Sequence, residues 1–482
     1  MQSKREDPSA LLGTLPIRKL VPRVSVPIMV SMLVQALYNV VDSIFVSRYD
    51  PDALTAVSLA YPIQMLMIAL SVGMGVGINS LISRKLGAGH REEARVAAWN
   101  GVVIELCGTV LFMLVGALFA GTFLNALTCS SLNNAVKIRS LGTTYLSIVT
   151  IFSQGLFMSV LLERMLQSTG NTVLSMITQM SGALVNIILD PIMIYGLLGF
   201  PELGVAGAAV ATVTGQWAAM GVGFALNQKK NPELRLKLKE FRYDTSVIKA
   251  ILAVGLPSTV MQAISSVMTI GMNTILSSFP QQGNDAVNVL NIYFKLQSFV
   301  FMPVFGLGSG MVAIIGYNFG AGLKKRVYES IRVALKLALT ILAVGTVIFL
   351  VFPGQLMSVF EGKEAAASSS MQAIGVTAMR TICLHFIFAA VGITLSNVFQ
   401  AVGRGMYSMI ISLCRQLLVL LPAAWLLSKV SLIAVWWSFL IAEFVSMTLS
   451  VVFYRQCDRT MISALPDGTG AGEKMGNELN KV

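Results

Sequence analysis

Charge is what this chain lacks most. Only 12% of its 482 residues are Asp, Glu, Lys or Arg, 55% are hydrophobic, and the mean hydropathy is +0.74. Soluble domains carry roughly 25% charged residues, so a water-soluble enzyme or carrier of this length is excluded. Five cysteines (Cys107, Cys129, Cys383, Cys414, Cys457) show no CxxC spacing, which excludes a zinc ribbon or a disulfide framework and leaves small buried hydrophobes. The two histidines, His90 and His385, are too far apart in sequence to suggest a metal site. The glycine-rich stretches GVGINS and GSGMVA lack the lysine of a phosphate-binding loop. No ATP site, organic cofactor or metal is therefore expected. The absence of a DxxxD pair in any loop argues against a membrane-embedded transferase, and no catalytic residue is assigned.

What fills the chain instead is a series of apolar runs long enough to cross a bilayer, about 20 residues each. They fall near 24–47, 54–80, 96–121, 137–162, 171–196 and 204–226, then 248–278, 286–316, 329–354, 369–398, 405–428 and 431–454. An all-α polytopic membrane protein with twelve transmembrane helices follows. Its expected divisions are an N-terminal segment 1–23, a six-helix bundle 24–226, a linker 227–247, a second six-helix bundle 248–454 and a polar, disordered tail 455–482. Basic residues cluster in alternate connections: Arg18, Lys19 and Arg23; Arg84, Lys85, Arg91 and Arg95; the linker; and Lys324, Lys325 and Arg326. The other connections hold only Arg48, Lys137, Arg139, Lys363 and Lys429. By the positive-inside rule the linker and both termini are cytoplasmic. The net charge of +12 is then a topology signal with some attraction to anionic lipid, and no nucleic-acid binding is expected. MQSKREDPS at the start has no small-residue cleavage site, so no signal peptide is expected.

The two halves repeat. GMGVGINSLISRKLGAG from Gly73 and GLGSGMVAIIGYNFGAG from Gly306 share five glycines in one register, and the same constant offset carries Gln64 onto Gln297 and Gly170 onto Gly403. One register held over so long a span means two bundles of common ancestry with a binding cavity between them, as in secondary transporters.

Ionisable groups inside spans are costly, about 2.5–3.5 kcal/mol each at the bilayer centre, and mark functional sites. Asp42 lies in the first span and Asp190 in the fifth, where Asn186 precedes it by one helical turn. Pro191 lacks an amide hydrogen and so frees the carbonyl of Ile187 to bend the helix or bind a cation. Asp42 lies as far beyond Arg23 as Asp190 lies beyond Asn171, so the two acids reach similar depth in the outer half of the membrane. Asp42, Asn186 and Asp190 are accordingly assigned to ion coupling, by proton or sodium. The second half has no equivalent, since Asp190 maps onto Ala423, Asn186 onto Val419 and Asp42 close to Asn273. Weaker candidates are Glu105, Arg380 and Arg415, with Lys295, Gln64, Gln297 and Glu443 as lining of a substrate cavity. Lys295 and Glu443 are placed either to pair or to face that cavity separately.

The run NIILDPIMIYGLLGFPELGVAGAAVATVTGQ (186–216), the run VVDSIFVS around Asp42 and the two GAG-containing loops resemble the multidrug and toxic compound extrusion (MATE) family along nearly the whole chain. The resemblance implies two six-helix bundles related by a pseudo-twofold along the membrane normal. It also implies alternating access and export of amphipathic, often cationic compounds against protons or sodium. It carries the coupling role to Asp42, Asn186 and Asp190. The acids that the NorM-type sodium-coupled branch adds in its second bundle are missing, which favours protons. A monomer in the plasma membrane is expected, and the alternative is a flippase for lipid-linked saccharides.

Overall fold

The computed structural model describes residues 8–128, 134–358 and 369–466. Cys129, Lys363 and the glycine-rich tail beyond Pro466 lie outside the described residues. The first half is built from α1 (Ala10–Thr14), α2 (Ile17–Tyr49), α3 (Pro51–Gly87), α4 (Arg91–Leu127), α5 (Ala135–Ile151), α6 (Gln154–Ser168), α7 (Thr172–Tyr195) and α8 (Val205–Lys230). The second half is built from α9 (Thr245–Ser277), α10 (Gly283–Gly320), α11 (Lys324–Val351), α12 (Pro353–Ser358), α13 (Ser369–Ile382) and α14 (Phe386–Ala401). It ends with α15 (Gly405–Leu413), α16 (Leu421–Ser428), α17 (Leu432–Val435) and α18 (Trp437–Cys457). Among the described residues eleven helical stretches are long and apolar enough to span a membrane, and α5 with α6 makes a twelfth when taken as one bent span. The chain is an integral membrane protein of two helical lobes.

The fourth span departs from the unbroken 137–162 expected: α5 and α6 meet at 45°. The bend is built by a ring of the sixth span and a glycine that makes room for it. The indole of Trp217 donates to the carbonyl of Phe152, at 3.2 Å, where the helical ladder is interrupted. Gly155 admits that ring, since a Cβ there would stand 2.6 Å from it. Two other spans are also interrupted. A 3₁₀ turn at Cys383–His385 joins α13 to α14. A π-helical stretch at Cys414–Leu420 leads into α16, whose Pro422 has no amide hydrogen to continue the ladder. The last helix also runs further than the span expected to end at 454, continuing through a π turn to Ile462.

The repeated glycines form the seam between the lobes. Helices in a bilayer gain no hydrophobic drive from each other's company, so close backbone approach through small residues supplies much of their cohesion. A Cβ at Gly73 would stand 2.5 Å from the backbone of Thr259 on α9, and one at Gly77 would stand 2.4 Å from the Ile251 carbonyl. Their repeat mates do the same on the other side of the pseudo-twofold, Gly306 against Met29 and Gly310 against Ser25 on α2. Gly87 and Gly320 complete the pattern reciprocally, each against the backbone of the opposite helix at Tyr317 and Arg84. Between these pairs, Gly75 and Gly308 turn inward to Arg164 and Asn397 of their own lobes. Ser80 donates across the seam to the Gln400 carbonyl at 2.6 Å. The positive-φ turns repeat as well, with Gly89 and Gly322 at +80° and +70°, and Gly170 and Gly403 at +78° and +87°.

All these contacts lie on the half of the molecule that carries the basic connections. There the linker and N-terminus strap the lobes. Ser9 bonds to Glu233, Arg95 donates to the Glu233 carbonyl at 3.0 Å, and Arg326 donates to the carbonyls of Leu12 and Leu15 at 3.0 and 2.8 Å. The seam is thus closed at the basic face.

Candidate functional site

Helices α2 and α7 run side by side through the first lobe and are joined by polar contacts at three levels. Gln179 donates to Gln35 at 2.8 Å, and the hydroxyl of Tyr195 donates to the Phe45 carbonyl at 2.9 Å. Between them Asp42 and Asp190 stand carboxyl to carboxyl within hydrogen-bonding reach. The equal depth read from Arg23 and Asn171 is therefore realised as a meeting of the two side chains. Asp190 is fully buried and Asp42 half-buried. One oxygen of each, Asp42 Oδ1 and Asp190 Oδ2, is shielded from solvent and has no donor among the described residues. Buried polar atoms are nearly always satisfied, and these two oxygens together suit one shared proton or one small cation.

Asn186 orients the pair. Its Nδ2 lies 3.2 Å from Asp190 Oδ1 and 3.5 Å from Thr212 Oγ1 on α8, while its own Oδ1 is buried and unpartnered. The small residues of 204–216 make this possible. Gly215 packs on the Gly182 carbonyl and on Asn186, and Gly207 packs on Met193, which draws Thr212 against the amide. Pro191 sits inside a helix that continues to Tyr195. Tyr38, one turn before Asp42, and Tyr145 of α5 complete the surroundings, and Tyr145 donates to Gln64 at 3.5 Å. Of the residues singled out in the sequence, Asp42, Asn186, Asp190 and Gln64 come together here. Sequence reasoning missed Tyr38, Tyr145 and Thr212. The position of Tyr38 at i−4 from Asp42 was the one available signal for it.

Other candidates fall elsewhere. Glu443 is 5% exposed and engaged by Arg415 at 3.3 Å inside the second lobe, so of the two alternatives for Lys295 the pairing with Glu443 is not formed. It lies near a second buried pair, Tyr293 and His385, whose Oη and Nε2 are 3.2 Å apart. Lys295 is exposed and Gln297 half-buried on α10. Arg380 donates to the Leu350 carbonyl at 3.3 Å. Glu105 is buried near Arg164 and Ser71, and Arg164 donates to Gln167 at 2.8 Å. Among the described residues no cluster of three His, Cys, Asp or Glu side chains is arranged to hold a metal.

Comparison with known proteins identifies the family and the fold. The MatE family model matches twice, at residues 27–192 and 257–426, one copy in each lobe. The chain is 29% identical over 456 residues to a probable multidrug resistance protein NorM of Thermotoga maritima, covering 91% of this chain and 92% of that one. It is 23% identical to an FAD transporter of Shewanella oneidensis, covering 86% and 88%. Its fold superposes on the outward-facing conformation of a multidrug resistance MATE family transporter with a TM-score of 0.86 at 26% identity, covering 96% and 99%. Members of this family are transporters and not enzymes, and this chain belongs to the MATE family.

Proposed function

We propose that the chain is a secondary active exporter in the plasma membrane, working as a monomer with both termini in the cytoplasm. It exchanges amphipathic organic compounds for protons through Asp42 and Asp190. The observation that carries this reading is the facing carboxyl pair, each with a buried oxygen that has no donor among the described residues. One proton bridging the two would satisfy both oxygens. When the proton leaves, a paired negative charge remains beside Tyr38, Tyr145 and Gln64 and attracts the cationic group of a cargo molecule. Protonation from the open side removes that attraction, and the cargo departs outward. Antiport needs only that proton and cargo compete by a few kcal/mol.

Sodium is the second candidate ion, because carboxylate, amide and hydroxyl oxygens suit a hard cation. In the second lobe the buried intramembrane acid among the described residues, Glu443, is already taken by Arg415. That leaves the first lobe's pair to do the coupling and favours protons. The lipid-linked saccharide flippase requires a strongly cationic cavity, and the pairing with Glu443 removes Arg415 from the residues that could supply it.

In proteoliposomes with proton and sodium gradients imposed separately, a pH gradient alone should drive accumulation of tetraphenylphosphonium. Each pH unit sets a limit of about tenfold per proton exchanged. Asp190→Asn should lower gradient-driven accumulation at least about tenfold. Full accumulation by that variant, or dependence on sodium alone, contradicts the reading.

A further inference from the structure

Helix α10 carries a polar stripe that a lipid-facing surface would not tolerate. Asn284, Asn288, Asn291 and Lys295 are all exposed and follow one another at intervals of four, three and four residues. The exposed surface of α4 is by contrast apolar, with Val110, Leu111, Leu114 and Leu118. Three amides and an ammonium group belong against water, since burying them in hydrocarbon costs several kcal/mol.

Helical geometry fixes where that water lies. At 3.6 residues per turn, Lys295 is about three turns and Asn288 five turns before Gly306. Gly306 is the glycine pressed on α2 of the first lobe, so the stripe occupies the face turned toward that lobe. The face is covered at the glycine and exposed at the stripe, which means the lobes part between these levels. The opposite wall follows by the same rule from Gly73. There Ser58 and Pro62 of α3 are exposed, and neither bears a charge. Lys295 and its three amides therefore line the space between the lobes, on the half away from the linker. Near its outer end the stripe borders a cleft of about 580 Å³ lined by Asn273, Thr274 and Ser277 of α9 and by Asn284, Val287 and Asn288. Asn273 Oδ1 is buried there without a partner. Lys295 forms no ion pair among the described residues.

We propose that this wall is a binding subsite for the anionic group of an amphipathic organic anion. The ammonium of Lys295 takes a carboxylate or sulfonate, and the amides of Asn288 and Asn291 hydrogen-bond the polar groups beside it. The site rests on the exporter reading above and extends its cargo from cations to organic anions. The two lobes then divide the chemistry, with acid and ion exchange in the first and anion and amide recognition in the second.

Two radiolabelled probes test this in one set of proteoliposomes. Taurocholate is a sulfonate with hydroxyls and an amide, and tetraphenylphosphonium is a cation with no hydrogen-bonding group. The wild-type chain is expected to accumulate tetraphenylphosphonium under a pH gradient and to take up labelled taurocholate by counterflow against unlabelled taurocholate inside. Lys295→Ala should lower taurocholate uptake about tenfold and leave tetraphenylphosphonium uptake within about twofold, and Lys295→Arg should retain both. Absence of taurocholate uptake by the wild-type chain overturns the anion site, as does an equal loss of both probes in Lys295→Ala. Failure of the pH gradient to drive tetraphenylphosphonium overturns the exporter reading instead.

Discussion

Asn186 shows how much one side chain can hold in place. Its amide reaches the Asp190 carboxyl at 3.2 Å and a hydroxyl of the neighbouring span at 3.5 Å, so it ties α8 to the carboxyl pair as well as orienting Asp190. Hydrogen bonds to charged groups contribute about 1.5–3 kcal/mol, and contacts at 3.5 Å far less. Asn186→Leu should therefore lower pH-driven accumulation about tenfold, and Thr212→Val no more than about threefold. Transport assays that returned the reverse order would show that the amide does not position the acid. Asp42 and Asp190 were legible in the sequence because a carboxylate in a span is expensive enough to need a reason. Tyr38, Tyr145 and Thr212 were not, because hydroxyl side chains are common in membrane helices and these partners sit on three different ones. Glu443 misled for a related reason: an intramembrane acid can be neutralised structurally, here by Arg415 from the preceding span.

At the level of elements, glycine spacing carried more information than hydropathy. The apolar runs located each span, with ends displaced by up to eight residues, but were silent on the bend between α5 and α6. That break depends on the Trp217 indole, supplied by a helix two spans further along the chain. The glycine register was visible without coordinates, yet its purpose was not, since close approach needs two partners and the sequence displays only one. Gly77 has backbone atoms of Ile251 and Gly255 at 2.4 and 2.9 Å from where a Cβ would be, and backbone cannot rotate out of the way. Gly77→Val is expected to hold the lobes apart at the basic face and to reduce transport at least about tenfold. Spin labels at Glu92 and Lys325 should then report a longer distance than in the parent chain. Gly221→Ala, where nothing lies within 4 Å, should change neither reading. An unchanged label distance in Gly77→Val would mean that the seam does not depend on that contact.

For the molecule as a whole, a near-symmetric frame carries asymmetric chemistry. The constant offset between the halves predicts the pairing of seam glycines and of left-handed turns, and the structure follows it helix by helix. Polar side chains break the symmetry: Asp190 has Ala423 as its mate, and Lys295 has Pro62. The two lobes thus share a frame while their polar side chains differ. The central claim is that a proton and a cationic cargo compete for Asp42 and Asp190. It is tested most directly by adding tetraphenylphosphonium to the purified full chain in weakly buffered detergent and reading proton release with a pH dye. The wild-type chain is predicted to release close to one proton per cation bound at a pH well below the midpoint of its cation-binding profile, and Asp42→Asn with Asp190→Asn to release none. Cation binding with no proton release in the wild-type chain, or equal release in the double variant, would contradict the account.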